Sequence, residues 1–508
     1  MSNTRILKNS AILYIRLLIT LALGLYTMRI VINALGIEDY GIYSVVAGLV
    51  IMFGFMNAAM SSSTQRYLSF DLGLKDTKKL QQTFSTAVNI HLLIGFLSFL
   101  LAEVVGFWAI NYLLDIPADR LAAANTVFQF SLVVFTLGII QVPYHAATIA
   151  YERVNAYAYI SIADAFLKLV AAYLLLSAPL DRLVLYSQLL AAISVLSFVS
   201  YFIYVQVQFK EIKYIKYFDK NYYKEILSFS GWNLFGNIAG VARGQGINIL
   251  INIFFGVAMN AAYAVAMMIQ GVLTQFATSI QQAINPQIIK SYAQNDKKRT
   301  EQLMYISSKF SFYVMLILVA PFYLNLDYIL GLWLGVVPEY AAVFIAYLMI
   351  FILIEVLSNS LMTGLQATGN IKLYHLTVGG VVFLNFPIVY LVYKFYEVPE
   401  MAFVVLIAIS FLSLYVRLLF VKKQMGYRLS SFYTGVIFYI SLVLIFSFPI
   451  LFFVSSLNNY IGLLKVVSDV VLCTTVFVIL MYFIGMNSQE KKFISKIVKE
   501  KIFRNGTN

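Results

Sequence analysis

Cysteine is almost absent from this 508-residue chain. The one present, Cys473, sits inside an apolar run and can form no intrachain disulfide, so the fold is not a disulfide framework. Charge is scarce as well: 12% of residues are Asp, Glu, Lys or Arg against 61% hydrophobic ones, and the mean hydropathy is +0.83. That balance excludes an ordinary soluble multidomain protein. Three scattered histidines, His91, His145 and His375, make no metal-ligand cluster, and each reads as a helix-end or packing residue. No GxxxxGK[ST] loop is present, which argues against nucleotide hydrolysis by this chain, and no carboxylate pair lies on a soluble face. Enzyme chemistry has no visible home. Short alternating segments of the barrel type are missing too.

What remains is a series of continuous Leu-, Ile- and Phe-rich runs, each long enough at about 1.5 Å per residue to cross a hydrocarbon layer of about 30 Å. The spacing predicts an all-α polytopic membrane protein with fourteen spans, at about 10–34, 42–64, 87–110, 122–149, 156–178, 183–207, 228–255, 261–286, 306–330, 340–364, 372–394, 399–421, 432–455 and 461–486. The first run has no small-residue cleavage site and is expected to stay as a span. Of the 36 Lys and Arg residues, 25 fall in the N-terminus, the even-numbered loops and the tail, while the odd-numbered loops hold only Arg120, Arg182 and Lys394. This asymmetry predicts both termini in the cytoplasm. The net charge of +13 is thus mostly topological, with some attraction to anionic membrane lipids, and does not mark a nucleic-acid binder. The odd loops are short and acidic, so function is expected between the helices.

The chain also repeats itself. Shifted by 220 residues without a gap, Ser10 falls on Ser230, Gly24 on Gly244, Gly36 on Gly256, Tyr43 on Tyr263, Asp76 on Asp296 and Lys78 on Lys298. Matches at turn glycines and loop charges are those a duplicated fold would keep. The expected division is an N-terminal lobe at 1–208, a cytoplasmic inter-lobe loop at 209–227, a C-terminal lobe at 228–425, two additional spans within 426–486 and a basic cytoplasmic tail at 487–508.

Eight basic residues fall inside the spans, where each costs at least ~2.5 kcal/mol on insertion scales and needs a cavity or a partner. Arg66, Lys309, Arg417 and Lys465 lie within a turn or two of an interface and are expected to snorkel. Arg16 and Arg29 lie deeper, and Lys168 and Arg243 sit near the middle of their spans. These last two point to a water- or substrate-filled cavity, although Asp164, four residues before Lys168, offers a purely structural partner. The deep acids Asp164, Glu355, Glu103 and Asp469 are candidates for carrying a coupling proton or Na⁺; protonated or paired structural carboxyls are the alternative. In the seventh span Asn233, Gly236, Asn237, Gly240, Arg243, Gly244, Asn248 and Asn252 share about half the helix circumference. The glycines suit close helix approach, while Asn237, Asn248 and Arg243 suit a sugar- or phosphate-lined cavity. Arg16, Arg29 and Arg243 align with Gly236, Ile249 and Leu23, so the deep arginines do not follow the repeat.

Three stretches carry a resemblance: Leu35-Gly36-x-x-x-Tyr40-Gly41-x-Tyr43 followed by Gln65-Arg66-Tyr67; Pro143-Tyr144-x-Ala146-x-x-x-Ala150-x-Glu152-Arg153; and Gly364-Leu365-Gln366-Ala367-Thr368-Gly369. With them the chain resembles the polysaccharide-biosynthesis flippases of the multidrug/oligosaccharidyl-lipid/polysaccharide exporter superfamily, over its first twelve spans. The resemblance implies two pseudo-symmetric six-helix lobes around a central cleft that opens alternately to each side of the bacterial inner membrane. It further implies undecaprenyl-diphosphate-linked oligosaccharide as substrate for O-antigen or capsule synthesis, an ion-gradient drive by Na⁺ or H⁺ with no cofactor, and other polysaccharide-assembly membrane proteins as partners. A cationic cavity for the diphosphate is a family feature; Arg66 occupies the family's basic position after the second span, and Arg16, Arg29, Lys168 and Arg243 are candidates from depth alone. The rival readings are a cation-coupled multidrug exporter of the same architecture and a membrane polymerase or glycosyltransferase.

Overall fold

The computed structural model describes residues 3–51, 55–113, 116–177, 180–334, 337–457, 460–488 and 490–491. It is 88% helical with no strand among the described residues, as an apolar chain that must satisfy its backbone polar groups without water requires. The helices are α1 (Asn3–Ile51), α2 (Phe55–Leu74), α3 (Thr77–Trp108), α4 (Leu121–Ala150), α5 (Val154–Ser177), α6 (Arg182–Gln208), α7 (Lys220–Ala293) and α8 (Lys297–Leu324). They continue as α9 (Leu326–Leu334), α10 (Ala341–Ala367), α11 (Lys372–Phe383), α12 (Asn385–Phe395), α13 (Met401–Met425), α14 (Leu429–Phe432), α15 (Phe438–Leu457) and α16 (Leu463–Phe483). Among the described residues twelve helices are long and apolar enough to cross a membrane, and thirteen if the pair Ala262–Ser279 and Gln281–Ala293, bent by 42°, counts as one span. The remaining expected span, 42–64, runs across residues 52–54, which lie outside the described residues. Leu93, Phe96, Leu97, Leu100 and Val104 of α3 are exposed, the outward face lipid would cover.

The repeat is written into the backbone. Gly36 breaks α1 at φ 79°, ψ 170°, and 220 residues later Gly256 breaks α7 at φ 81°, ψ −174°. Only a residue without Cβ holds that conformation readily. Lys75 (φ 58°) and Asn295 (φ 57°) turn the chain after α2 and α7, and the 220-residue offset also relates the starts of α3 and α8 and of α4 and α10.

Two compact units divide the chain. One comprises residues 7–238 with 289–296; the other comprises 239–288 and 297–508 with 1–6. In the first, α3, α4 and α6 enclose Ala102, Val127, Phe128, Leu132 and Leu183. A Cβ on Gly106 would lie 2.2 Å from Phe128 Cζ, so glycine there sets the α3 to α4 approach. The stretch joining α6 to α7 packs onto this unit: the Ile215 amide donates to Ser85 Oγ at 2.9 Å, Tyr67 Oη to Glu225 Oε1 at 3.1 Å and Ser230 Oγ to Ser63 Oγ at 2.9 Å, while Tyr222 meets Thr83. In the second unit, Ile247, Ile251, Tyr263, Phe344, Leu348, Phe403 and Leu406 form the core.

Loops of like parity meet, as the charge count requires of them. Arg120, between α3 and α4, donates to Asp39 Oδ1 and Oδ2 at 2.9 and 2.6 Å and to Asp181 Oδ2 at 2.6 Å. Lys290, Glu152 and Gly73, from even-numbered loops and helix ends, gather separately: Lys290 Nζ lies 2.6 Å from Glu152 Oε1 and Gln294 Nε2 donates to the Gly73 carbonyl at 3.0 Å.

Asp181 also accepts from the Leu183 and Val184 amides at the start of α6. Partial burial works against its ionisation, but Arg120 and the two amides outweigh that and hold its carboxyl below the usual range. A depressed folded-state value contributes stability above the unfolded value of about 3.9 and loses it as pH falls through the folded one. Arg120→Met should therefore melt a few degrees below the wild type at pH 7, with the gap beginning to close below about pH 4 and vanishing as pH falls through the depressed folded value of Asp181. A gap that stays constant through pH 3 would tie the loss to packing instead.

Candidate functional site

In the first unit a cavity of about 740 Å³ is lined from four helices and the α1 turn. Its polar lining follows helical spacing: Arg16, Thr20 and Thr27 of α1, Gln141 and His145 of α4, and Tyr157, Ser161, Asp164 and Lys168 of α5 each recur at intervals of three, four or seven residues and so share one face of their helix. Arg16 Nη1 donates to Tyr157 Oη at 2.8 Å, and its guanidinium carbon stands 4.7 Å from the Tyr157 ring centroid. Arg16 Nε is buried with no hydrogen-bond partner. The Lys168 ammonium lies 2.8 Å from Asp164 Oδ2. His145 packs edge-on against Tyr157 and Tyr201, with centroids 4.8 and 5.8 Å away. With Tyr40, Tyr43 and Tyr186, the lining offers aromatic surface, hydroxyls, two cations and one carboxylate, a chemistry suited to an amphipathic guest with hydrogen-bonding groups.

The second unit holds a different cluster. Arg243 of α7 and Arg417 of α13 stand 3.9 and 4.0 Å from Glu355 Oε1 of α10. Arg243 lies over Phe351, 4.7 Å from its centroid, and Arg417 Nε donates to Tyr374 Oη at 3.3 Å.

The residues singled out in the sequence are thus divided. Arg16, Lys168 and Asp164 meet around one cavity; Arg243 and Glu355 meet in the other unit. Arg29 is exposed on α1 and Asn237 exposed on α7, while Asn248 is half-buried. Glu103 accepts from Gln129 Nε2 at 2.9 and 3.1 Å, and buried Asp469 accepts from Asn325 Nδ2 at 2.9 Å. Lys168 has the structural partner its spacing offered. At Gly240 and Gly244 close helix approach is not found: a Cβ on Gly240 meets nothing within 4 Å and one on Gly244 only Met267 at 3.9 Å, while the tight contact on α7 falls at Gly246, 2.7 Å from Phe386.

The snorkelling expectation is corrected for three of four interface cations. Arg66 is buried among Tyr67, Phe70 and Phe229, 4.5 to 5.2 Å from their centroids. Lys309 is buried against Glu490 at 2.7 Å, and Arg417 is buried beside Glu355. The helices overrun the hydropathy-defined spans. By the rise per residue, Arg66 lies about 12 Å before the end of α2, Arg417 about 12 Å before the end of α13 and Lys309 about 18 Å into α8. Gln141 and Tyr157 escaped the sequence reading, whereas His145, read there as a helix-end or packing residue, packs on Tyr157 and Tyr201 and also lines the cavity; the one available signal for Gln141 was that it shares a face with His145 flanking Pro143. Among the described residues no group of three His, Cys, Asp or Glu could hold a metal ion.

Residues 234–391 match the MatE family model. No curated protein matches the chain in sequence. Among solved structures, an outward-facing multidrug resistance MATE family transporter of the MOP superfamily is similar at TM-score 0.70 and 13% identity, with 82% of this chain and 96% of that one covered. A MATE in a bent conformation is similar at TM-score 0.71 and 12% identity, covering 83% and 95%. A MOP superfamily transporter from Pyrococcus furiosus, described by a binding pocket of reverse polarity that suggests a different function, is similar at TM-score 0.68 and 13% identity, covering 84% and 96%. The fold of this multi-pass helical membrane protein is accordingly the two-lobed fold of the MATE transporters.

Proposed function

We propose that the chain is a transporter, not an enzyme, that exports an amphipathic organic cargo across the bacterial inner membrane by alternating access, driven by a Na⁺ or H⁺ gradient. The observation that carries this reading is the likeness to transporters over nearly their whole length, joined to a polar and aromatic cavity of about 740 Å³. The solved relatives support the multidrug-exporter form, ranked second from the sequence alone. Both termini lie in the cytoplasm on this reading, as the Lys and Arg asymmetry supports.

A second reading rests on charge. Arg16 and Lys168 face Asp164 in one unit, and Arg243 and Arg417 face Glu355 in the other, so each cluster keeps one uncompensated positive charge. Cationic drugs gain nothing from such lining. A lipid-linked oligosaccharide does, because carrying its diphosphate through hydrocarbon without counter-charge is prohibitive; its partners would be other polysaccharide-assembly membrane proteins. The polarity contrast noted for the Pyrococcus furiosus transporter gives precedent for cargo differing within one fold.

Reconstitution into liposomes under an imposed Na⁺ or pH gradient separates the two. Uptake of a cationic dye supports the exporter form, and movement of a fluorescent polyprenyl-diphosphate sugar between leaflets supports the flippase form. Arg16→Gln with Lys168→Met should cut movement of the diphosphate sugar about tenfold or more while leaving dye uptake undiminished. A protein that moves neither cargo under any gradient overturns the transport reading.

A further inference from the structure

The last turns of α7 change company. Residues 289–296 are counted with the first unit, although the chain on both sides of them, 239–288 and 297–508, belongs to the second. The handover is abrupt. Asn285 Oδ1 accepts from Thr363 Oγ1 of α10 at 3.0 Å, whereas Lys290 Nζ lies 2.6 Å from Glu152 Oε1 and Gln294 Nε2 donates to the Gly73 carbonyl at 3.0 Å. Between them stands Pro286, which has no amide hydrogen to give the Gln282 carbonyl and so weakens the helix at this turn. A bend of 42° between Ser279 and Gln281 comes just before it, and there Gln281 Nε2 and Gln282 Oε1 are buried without hydrogen-bond partners. Fully satisfied polar networks rigidify a fold; this stretch lacks that brace. The core of the second unit takes buried residues of α7 as far as Ala277, so the stretch beyond is held chiefly at its end.

The seat of this segment suits a close fit that can come apart. Gly73 and Ala293 are counterparts under the 220-residue repeat, and they meet: a Cβ on Gly73 would lie 2.9 Å from Ala293 Cβ, Lys290 Cα and the Lys290 carbonyl oxygen. Only a residue without a side chain lets the two backbones approach so closely. The fastening is charged rather than apolar. The Lys290 and Glu152 side chains are 12% and 6% exposed, and on separation each regains the hydration that burial removed, which offsets the lost attraction. Glu152 holds φ at 60°, a region that favours glycine or asparagine, so this position keeps a carboxylate against its backbone preference. We propose that residues 289–296 are a latch, with Pro286 as its hinge, the Glu152–Lys290 pair as its catch and Gly73 as its seat, which lets go when the side of the even-numbered loops opens. The place of the latch in a cycle rests on the transport reading, whereas its release does not.

The test is the rate at which a water-soluble maleimide labels Ser291→Cys in the full chain in phosphatidylcholine nanodiscs. Ser291 lies on the latch and is 9% exposed, the substitution is nearly isosteric, and native Cys473, buried in α16, is the internal control. Lys290→Met and Glu152→Gln should each raise the labelling rate about tenfold or more, because each removes one member of a buried pair. Exchanging the charges, Lys290→Glu with Glu152→Lys, should bring the rate back most of the way. Gly73→Val should raise it by forcing the seat apart, and Pro286→Ala should lower it by supplying the missing helical bond. A rate indifferent to both catch variants, no recovery on charge exchange, or labelling of Cys473 in step with Ser291→Cys overturns the inference, the last because the chain is then unfolding as a whole. In liposomes where the wild type moves cargo, Pro286→Ala should move it more slowly, and an unchanged rate would remove the latch from the cycle. Absent transport by the wild type with the labelling contrasts intact would overturn the transport reading alone.

Discussion

Replacing Lys309 with methionine should lower the unfolding free energy by about 3–5 kcal/mol, the range found when one partner of a buried ion pair is removed. Lys309 is 1% exposed, its ammonium lies 2.7 Å from Glu490 Oε2 and 4.5 Å from the Tyr439 ring centroid, and Glu490 is itself buried. Methionine matches the apolar stem but strands the carboxylate, whose other bond is from the Asn487 amide at 2.9 Å. Lys309→Met combined with Glu490→Gln should recover most of the loss, because a neutral buried pair carries no unpaired charge. Tyr313 Oη, donating to the Gly485 carbonyl at 2.9 Å, and Asn325, donating to Asp469, fasten α8 to the C-terminal segment at two further levels, so the segment itself should stay docked. Thermal unfolding of the three variants in one detergent gives the comparison. A single-variant loss under about 0.5 kcal/mol, the usual scale for surface changes, would mean that the pair is hydrated.

Gly36→Ala and Gly256→Ala should each cost about 1–3 kcal/mol, the penalty for holding a residue with a Cβ in a region that is almost glycine-only. The effect is isolated by the space around them. A Cβ at either position meets nothing within 4 Å, so overpacking contributes nothing and the whole cost is torsional. Gly240 supplies the control: it too has nothing within 4 Å but lies in regular helix, so Gly240→Ala should be neutral or gain up to about 1 kcal/mol. Equal unfolding temperatures for all three variants would contradict the breaks in α1 and α7. Because Gly36 and Gly256 sit where one membrane pass turns into the next, the same substitutions should slow cargo movement in liposomes.

These two glycines also mark what could be read without coordinates. A 220-residue self-similarity that lands on Gly36 and Gly256 was legible because a backbone constraint tolerates one residue type, and span order was legible because hydrocarbon demands length. The Lys168 to Asp164 pair was legible as well, since four residues on a helix are neighbours whatever surrounds them. Arg16 with Tyr157, Arg243 with Glu355 and Lys309 with Glu490 were not. Those partners lie more than a hundred residues apart, and their meeting depends on how each helix is rotated, which no local pattern records. Depth misled in a related way: hydropathy locates the apolar stretch, whereas Lys309 and Arg417 are placed by helices that continue beyond it.

The packing of residues 215–230 against α2 and α3 has a bearing on how the two copies are joined. Under the 220-residue repeat, Ser230 is the counterpart of Ser10, so these residues are the leading arm of the second copy, yet they complete the first. The contacts that Tyr222, Glu225 and Ser230 make thus tie the start of the second copy to the first by more than the covalent connection.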